Sequence, residues 1–432
     1  MQVRRWVADT IGGLPRQFWY LWTTTLVNRI GSFVLIVLAL YLTQEQGFSE
    51  SYAGFVIGLW GAGSAIGTLM GGVLADRWGR KPTFVTALYA GAGMMLVVGF
   101  IRGQVAVAAA VFVLGLFAEA SRPAMQALMV DIVRPEDRMR AFTLNYWVIN
   151  LGFACSALVA GVLAGVDFRL LFVLDAATTV AAATWVLFKI VEPVRATAHV
   201  VESAAPRVGL GMVFRDRVFI AFMLVNLLTA MIFMQHLSTL PLAMSRDGLP
   251  AATYGSVIAL NGILIVAGQL FMAKILQRLR HSTALAIAVL IIGVGFGLTA
   301  FADGAGFYAV TVLVWTLGEM LHAPSNSALN AELAPAAMRG RYQGVFSLSW
   351  SGASFLAPVV GGFVLQYAGS GALWLGCFAL AGVVSVIHLL SGPSRERRAA
   401  ALLAAETPRS HSPVSSARNR AVLTGEPVES AT

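Results

Sequence analysis

Long runs of apolar residues alternate with short polar connections along almost the whole chain. Each run is at least 19 residues long, and about 20 helical residues are needed to cross the hydrocarbon core of a bilayer. The runs lie near residues 18–42, 52–75, 83–101, 105–128, 141–164, 168–190, 218–243, 252–274, 283–301, 307–330, 343–367 and 371–391. The pattern predicts an all-α polytopic membrane protein with twelve transmembrane helices.

The composition agrees with a membrane protein, because 58% of the 432 residues are hydrophobic and only 12% are charged. The net charge of +9 does not indicate nucleic-acid binding, since the basic residues recur in every second connection instead of on one patch. The exceptions are Arg102, Arg169 and Arg246 in the other connections, and Arg29 and Arg122 within spans. Because basic residues favour the cytoplasmic side, we expect both termini in the cytoplasm and the protein in the plasma membrane.

The chain repeats itself at a constant offset of 201 residues. Chance matches between apolar spans would not also align a proline and an Arg-x-Arg pattern. The matching pairs include Gly54 with Gly255, Gly61 with Gly262, Gly67 with Gly268, Arg77 with Arg278, Pro123 with Pro324, Arg138 with Arg339, Arg140 with Arg341 and Gly161 with Gly362. We interpret the repeat as two parallel six-helix bundles.

The bundles should occupy residues 1–190 and 218–391, with a polar cytoplasmic linker at 191–217. Residues 392–432 turn to Ser, Arg, Ala, Glu and Pro with no apolar period. Such a composition cannot bury enough apolar surface to fold, so we expect a disordered cytoplasmic tail.

A charged segment with the pattern G-x-L-x-D-R-x-G-R-K connects the second and third spans at residues 72–81. Gly72 and Gly79 permit close packing and a tight turn there. This motif, the twelve spans and the repeat together resemble the major facilitator superfamily of secondary transporters, in particular its twelve-helix drug and metabolite proton antiporters. The resemblance implies alternating access to a central cavity lined by helices 1, 4, 7 and 10, with helices 3, 6, 9 and 12 outermost.

The resemblance also implies that the motif forms a cytoplasmic gate. Asp76 would cap a helix of the other bundle, and Arg80 would pair with an acid at the end of helix 4, which is Asp131 here. The full set of gate candidates is Gly72, Asp76, Arg77, Gly79, Arg80, Lys81 and Asp131. The alternative is a solvated loop whose charges only set the topology.

Ionisable residues within spans are the second group of candidates, because a charge in hydrocarbon costs about 2.5 to 3.5 kcal/mol. Arg29 in helix 1 lies near the midplane and needs a partner. Glu119 in helix 4 should lie at a similar depth, and Arg122, three residues on, shares its face and competes for the carboxylate. This cluster either belongs to the transport cavity or is a permanent ion pair that sets helix packing.

Glu319 and His322 form another cluster, three residues apart in helix 10. A carboxylate beside an imidazole can take up and release a proton near physiological pH, so Glu119, Glu319 and His322 are the candidates for proton coupling. The alternative is polar groups satisfied by neighbouring helices. Asp175 lies in helix 6, an outer helix by the resemblance, and we expect it to serve packing or a pairing in the outer half of the membrane.

Several other residues complete the predictions for the spans. The candidates for the substrate cavity are Asn28, Arg29, Arg122 and Asn226, although both asparagines could equally pair with backbone.

Pro123 and Pro324 remove backbone donors at equivalent positions of helices 4 and 10, which predicts kinks. Small residues at intervals of four predict close helix contacts; they are Gly63, Gly67 and Gly71 in helix 2, and Gly152, Ser156 and Ala160 in helix 5.

The sequence contains no Walker lysine motif, metal-ligand cluster, nucleophile elbow or dinucleotide fingerprint, so neither an enzyme nor a cofactor is predicted. The leading interpretation is a monomeric, proton-coupled secondary transporter that exports small amphipathic compounds. Its partners would be the small-molecule substrate, protons and the lipid bilayer. The alternatives are uptake of a small metabolite by proton symport, and a non-transporting membrane sensor with the same fold.

Overall fold

The computed structural model describes residues 12–192, 211–276, 279–335 and 338–406, and every regular element in these ranges is a helix. The first bundle contains α1 (Arg16–Glu45), α2 (Glu50–Trp78), α3 (Arg80–Phe100), α4 (Gln104–Ile132), α5 (Arg138–Ala164) and α6 (Phe168–Lys189). The second contains α7 (Arg217–Phe233, continued by Gln235–Ser238 and Leu240–Arg246), α8 (Ala251–Leu276), α9 (His281–Leu298), α10 (Ala305–Leu333) and the segment Arg339–Glu406. Gly369, with a φ of +86°, divides that last segment into α11 (339–368) and α12 (370–406).

The all-α fold predicted from the sequence is confirmed. Ten of the described segments are long and apolar enough to cross a membrane, and the last of them contains both α11 and α12. Helix α10 is more polar and is not among these ten, but it has the same length as α4, 29 residues. Pro123 and Pro324 lie inside α4 and α10, which continue through them.

Side-chain caps and a glycine turn fix where helices begin. At the start of α2, Ser49 Oγ accepts a hydrogen bond from the Tyr52 N–H at 3.3 Å. At the start of α7, Asp216 accepts one from the Phe219 N–H at 3.1 Å. These groups satisfy donors that the first turn of a helix leaves unpaired. Gly79 has a φ of +111°, so the one-residue turn between α2 and α3 requires glycine.

Helices α1 and α7 are interrupted, whereas the sequence predicted uninterrupted spans at 18–42 and 218–243. Helix α1 consists of Arg16–Ile30 and Val34–Leu40, followed by the wider π turn Tyr41–Glu45. At its break, Ser32 Oγ donates to the Asn28 carbonyl at 2.7 Å. Such local bonds offer the backbone an alternative to continuing the helix. The second part of α1 contacts both continuations of α7.

The prediction of a disordered tail from residue 392 is wrong for residues 392–406, which are helical. Arg395 is buried, and its guanidinium lies 2.9 Å from His388 Nδ1. Arg398 forms an ion pair with Asp216 at 2.9 Å. The arginines that made this stretch look solvated thus have partners on α12 and α7. Residues 407–432, and residues 193–210 of the predicted linker, lie outside the described residues.

Two equivalent glycine contacts join the bundles, between α2 and α11 and between α5 and α8. A Cβ at Gly54 would overlap the Pro358 carbonyl and lie 3.2 Å from Gly362 Cα. A Cβ at Gly255 would lie 2.9 Å from Gly161 Cα. The 201-residue offset relates the two contacts, since it pairs Gly54 with Gly255 and Gly161 with Gly362. Small residues therefore let the backbones of the two bundles approach closely at both places.

We call the end of the molecule that carries residues 72–81 the motif end, and the other the opposite end. Polar contacts join the bundles at the opposite end. They are the Glu50–Arg246 ion pair at 2.5 Å, the Gln44–Ser245 hydrogen bond at 2.9 Å and the bond from the Ser51 N–H to Gln366 Oε1 at 2.9 Å. In this structure the bundles are therefore closed against each other at the opposite end.

Candidate functional site

A cavity of about 440 Å³ lies within the first bundle, a volume typical of small-molecule sites. Its polar lining is formed by Thr24, Thr25, Asn28, Arg29, Ser32, Glu119, Ser121, Arg122, Gln126, Asn145, Asp175 and Thr179. Apolar side chains, among them Trp60, Phe84, Met95 and Met125, form the rest of the wall. The lining on α4 extends to Gln126, less than two turns from Asp131, so the cavity reaches towards the motif end.

The cavity differs from the one that the resemblance implied, because its described lining includes no residue of α7 or α10. Asn226, predicted as a cavity residue, is 1% exposed. It donates to Ser349 Oγ at 2.5 Å and accepts from Asn326 Nδ2 at 2.8 Å. Buried polar groups are normally satisfied in this way, so Asn226 contributes to packing within the second bundle.

Glu119 forms an ion pair with Arg122 at 3.0 Å on the cavity wall. The Glu119 side chain is 17% exposed and that of Arg122 is 55% exposed. The sequence left open whether Arg29 or Arg122 pairs with Glu119; in the structure Arg122 does, and among the described residues Arg29 has no ion pair within 4 Å. Arg122 reaches the carboxylate along the face of its own helix, with no need to cross between helices.

Arg29 itself is positioned by close packing between α1 and α5. A Cβ at Gly152 would lie 2.5 Å from Arg29 Cβ and 3.3 Å from the Ile30 nitrogen. The sequence predicted Gly152 as a contact residue, and the structure shows that its neighbour is α1. Asn28, beside Arg29, donates to Thr179 Oγ1 of α6 at 3.2 Å and lines the cavity.

Asp175, which lies on α6, accepts a hydrogen bond from the backbone at the interruption of α1. Its Oδ2 accepts a hydrogen bond from the Val34 N–H at 3.1 Å, where the second part of α1 begins. The side chain is 2% exposed and Oδ1 has no partner in the described residues. The close approach requires glycine on α1, since a Cβ at Gly31 would overlap Thr178. The expected packing role thus agrees with this contact, but the position of Asp175 at the cavity was not anticipated.

In the second bundle, Glu319 accepts a hydrogen bond from Asn261 Nδ2 at 2.6 Å, and Asn261 also donates to Thr316 Oγ1 at 3.2 Å. His322 is buried on the same helix. Within the described residues no hydrogen bond or ion pair joins Glu319 to His322. Asn261 of α8 is the partner that sequence reasoning missed, and its position in an apolar span was the available signal.

At the motif end the structure brings Arg80 and Asp131 together as an ion pair. The Arg80 N–H donates to Glu192 Oε1 at 2.6 Å, and its guanidinium donates to the Ala127 carbonyl at 3.1 Å. Glu192 was missed, although an acid directly after α6 was visible in the sequence. The motif is thus tied to α4 and to the end of α6.

The remaining motif residues divide between the turn and the surface. A Cβ at Gly79 would meet the Glu192 carboxylate at 2.8 Å, so this glycine serves the tight turn as predicted. A Cβ at Gly72 would meet no atom of the described residues within 4 Å, so the predicted close packing there is wrong. Gly71 supplies it instead, against the Ala120 carbonyl of α4. Asp76 and Arg77 are exposed, and Lys81 is half-buried.

The family model of the Major Facilitator Superfamily matches residues 21–358 and 248–425. The multidrug resistance protein MdtH of Aeromonas salmonicida is 25% identical over 376 residues, which cover 86% of this chain and 93% of that protein. A Na(+), Li(+), K(+)/H(+) antiporter of Planococcus maritimus is 22% identical over 355 residues, covering 74% of this chain and 83% of that protein.

Among solved structures, the nucleoside transporter NupG superposes with a TM-score of 0.76 at 15% sequence identity. The match covers 87% of this chain and all of that one. At this level of identity the similarity concerns the fold alone.

Proposed function

The chain belongs to the major facilitator superfamily, and from that premise we propose that it is a proton-coupled exporter of small amphipathic compounds. Membership of this family makes it a membrane transporter of small molecules. The direction of transport and the coupling ion are the parts that we propose here.

The observation that carries the proposal is the Glu119–Arg122 pair on the cavity wall. A carboxylate in the membrane interior needs either a cation or a proton. Glu119 is held by one guanidinium that is itself half exposed, at 3.0 Å and from the next turn of the same helix. Release of Arg122 would let Glu119 take a proton, and a coupling site needs such an exchange to differ between the two conformations of the transporter.

Glu319 is the second candidate for coupling. Its hydrogen-bond partner among the described residues is the neutral amide of Asn261, at 2.6 Å. A carboxylate that lacks a cationic partner is more easily neutralised by a proton than one that has an ion pair. We propose that one of these two glutamates, with His322 nearby on α10, carries the coupled proton.

Export is supported by two relatives, one of which is named a multidrug resistance protein and the other an antiporter that exchanges cations for protons. The apolar wall of the cavity suits the apolar part of an amphipathic compound. In the proposed orientation, the motif end and both termini face the cytoplasm, so the cavity would load from the cytoplasmic side.

Everted membrane vesicles test the direction of transport. When the lumen is acidified, a proton-coupled exporter accumulates its substrate in the lumen, and vesicles lacking the protein provide the baseline. A proton symporter would instead empty preloaded vesicles, and a sensor would change neither level. Accumulation that is abolished by a protonophore is the expected result, and emptying or no response would overturn the proposal.

A further inference from the structure

Arg29 is a charged residue of the cavity that has no hydrogen-bond or ion-pair partner among the described residues. Its guanidinium makes no hydrogen bond and no ion pair within 4 Å to any described residue, although its side chain is partly buried and lines the cavity. Arg29 lies about 16 Å along α1 from the start of the apolar run, at 1.5 Å per residue, which is too deep for it to reach the headgroups easily.

Both acids of the same cavity are already engaged. Glu119 is paired with Arg122 at 3.0 Å. Asp175 accepts the Val34 N–H at 3.1 Å and is 2% exposed, so a substrate in the cavity reaches it far less easily than it reaches Arg29. The positive end of the α1 segment that begins at Val34 further offsets the charge of Asp175.

The cavity therefore presents, beside an apolar wall, one cation that no hydrogen bond or ion pair to a described residue engages. An arginine binds a planar carboxylate or a sulfonate through two parallel N–H donors, and this pairing is strongest where water is excluded. Trp60, Phe84 and Met95 form apolar parts of the wall of the same cavity.

We propose that the cavity binds amphipathic monoanions, with the anionic group on Arg29 and the aromatic or aliphatic body against the apolar wall. This inference rests on the proposed transport function, whose substrate class it names. It also separates Arg29 from Arg122: Arg29 binds the substrate, whereas Arg122 serves the coupling carboxylate.

Three naphthalene probes of similar size and different charge test the proposal on purified full-length protein in lipid nanodiscs. They are 2-naphthoate, 2-naphthalenemethanol and 2-naphthylmethylammonium, and binding is measured by equilibrium dialysis at equal pH on both sides. We expect 2-naphthoate to bind at least about tenfold more tightly than the other two, the range expected for a hydrogen-bonded charge pair. Tighter binding of the ammonium probe would indicate that Glu119 receives a cation, and would overturn the proposal.

Two variants locate the effect. Arg29→Gln should weaken binding of 2-naphthoate by about tenfold or more and leave 2-naphthalenemethanol unchanged, while Arg29→Lys should retain part of the affinity. Arg280→Gln is the matched control, since that exposed side chain pairs with Glu396 at 3.6 Å in the other bundle. Equal binding of 2-naphthoate to wild type and Arg29→Gln would contradict the assignment.

A measurement on the wild-type protein covers the case in which Arg29→Gln does not fold. Phenylglyoxal modifies accessible arginines, and mass spectrometry reports the modified fraction of each. 2-Naphthoate should protect Arg29 and leave Arg280 reactive, and absence of protection would contradict the proposal. Neither assay uses a proton gradient, so loss of coupling in the vesicle experiment and failure of anion binding are distinguishable outcomes.

Discussion

Gln44 donates a hydrogen bond to Ser245 Oγ at 2.9 Å, and the two residues lie 201 positions apart, which is the offset of the internal repeat. Equivalent residues of two repeats can touch only beside the axis that relates the bundles. The contact therefore marks that axis at the opposite end of the molecule. The Glu50–Arg246 ion pair links the same segments, so any opening of this end must break both contacts.

A cross-link between residues 44 and 245 should stop transport. With the free cysteines Cys155 and Cys377 replaced by serine, the pair Gln44→Cys and Ser245→Cys would be joined by a short bis-methanethiosulfonate reagent, whose two disulfide links can be cleaved by reduction. Because alternating access requires the opposite end to open, transport in reconstituted vesicles should fall to background and return on reduction. Each single cysteine variant with the same reagent is the control. Full transport by the cross-linked protein would show that the bundles do not separate here.

The glycine contact between α2 and α11 predicts a steric effect. Gly54→Ala would place a Cβ against the Pro358 carbonyl, and overpacking of this kind typically costs about 1 to 3 kcal/mol. We expect a lower thermal unfolding temperature and weaker closure of the opposite end. Gly93→Ala is the matched control, because a Cβ there meets no described atom within 4 Å. Equal unfolding temperatures for the two variants would contradict the close contact.

The Arg80–Asp131 ion pair predicts that the motif controls conformation more than folding. Both side chains are partly exposed, at 24% and 29%, so the pair should contribute no more than about 1 kcal/mol to stability. We expect Asp131→Asn and Asp76→Asn to lower transport several-fold while the protein stays inserted and monodisperse. Exchange of the charges, Arg80→Asp with Asp131→Arg, should restore part of the rate. Wild-type turnover in both single variants would show that these acids, near the ends of α2 and α4, are only solvated charges.

The bond from the Val34 N–H to Asp175 predicts different results from two substitutions at one position. Asp175→Ala removes the acceptor and should lower stability by about 0.5 to 2 kcal/mol, as loss of a helix cap does. Asp175→Asn keeps an acceptor oxygen and should stay closer to wild type. Thermal unfolding followed by tryptophan fluorescence measures both. The cap assignment fails if the alanine variant is as stable as the asparagine variant.

The sequence predicted features that arise from residues close together in the chain better than features that arise from distant residues. The spans follow from local hydropathy, the repeat from residue matches at a constant offset, and the turn at Gly79 from the backbone freedom of glycine. The role of Gly71, in place of Gly72, depends on which helix face meets α4, and a run of glycines does not specify that face. Residues 392–406 look solvated in the sequence, whereas in the fold Arg398 meets Asp216, which lies 182 positions away in the chain.

The candidate site shows the same division. Glu119 and Arg122 were recognised as neighbours because i and i+3 positions share a helix face. The competition of Arg122 for Glu119 was predicted, but its outcome, with Arg122 paired and Arg29 without an ion pair, was left open. The interruption of α1 was also missed, since it requires Asp175, Gly31 and Val34 to meet across two helices. Contacts within a helix can be read from spacing, whereas contacts between helices require the fold.

The most direct test of proton-coupled export is accumulation in everted vesicles with an acidified lumen, with wild type, Glu119→Gln and Glu319→Gln compared at equal expression. We expect wild type to concentrate substrate against its gradient. At least one glutamine variant should lose this uphill transport and keep downhill exchange, because the amide mimics a permanently protonated acid. Asp175→Asn is the comparison variant and should still concentrate substrate. Uphill transport by both glutamine variants, together with its loss in Asp175→Asn, would contradict the assignment and identify the α6 acid as the coupling site.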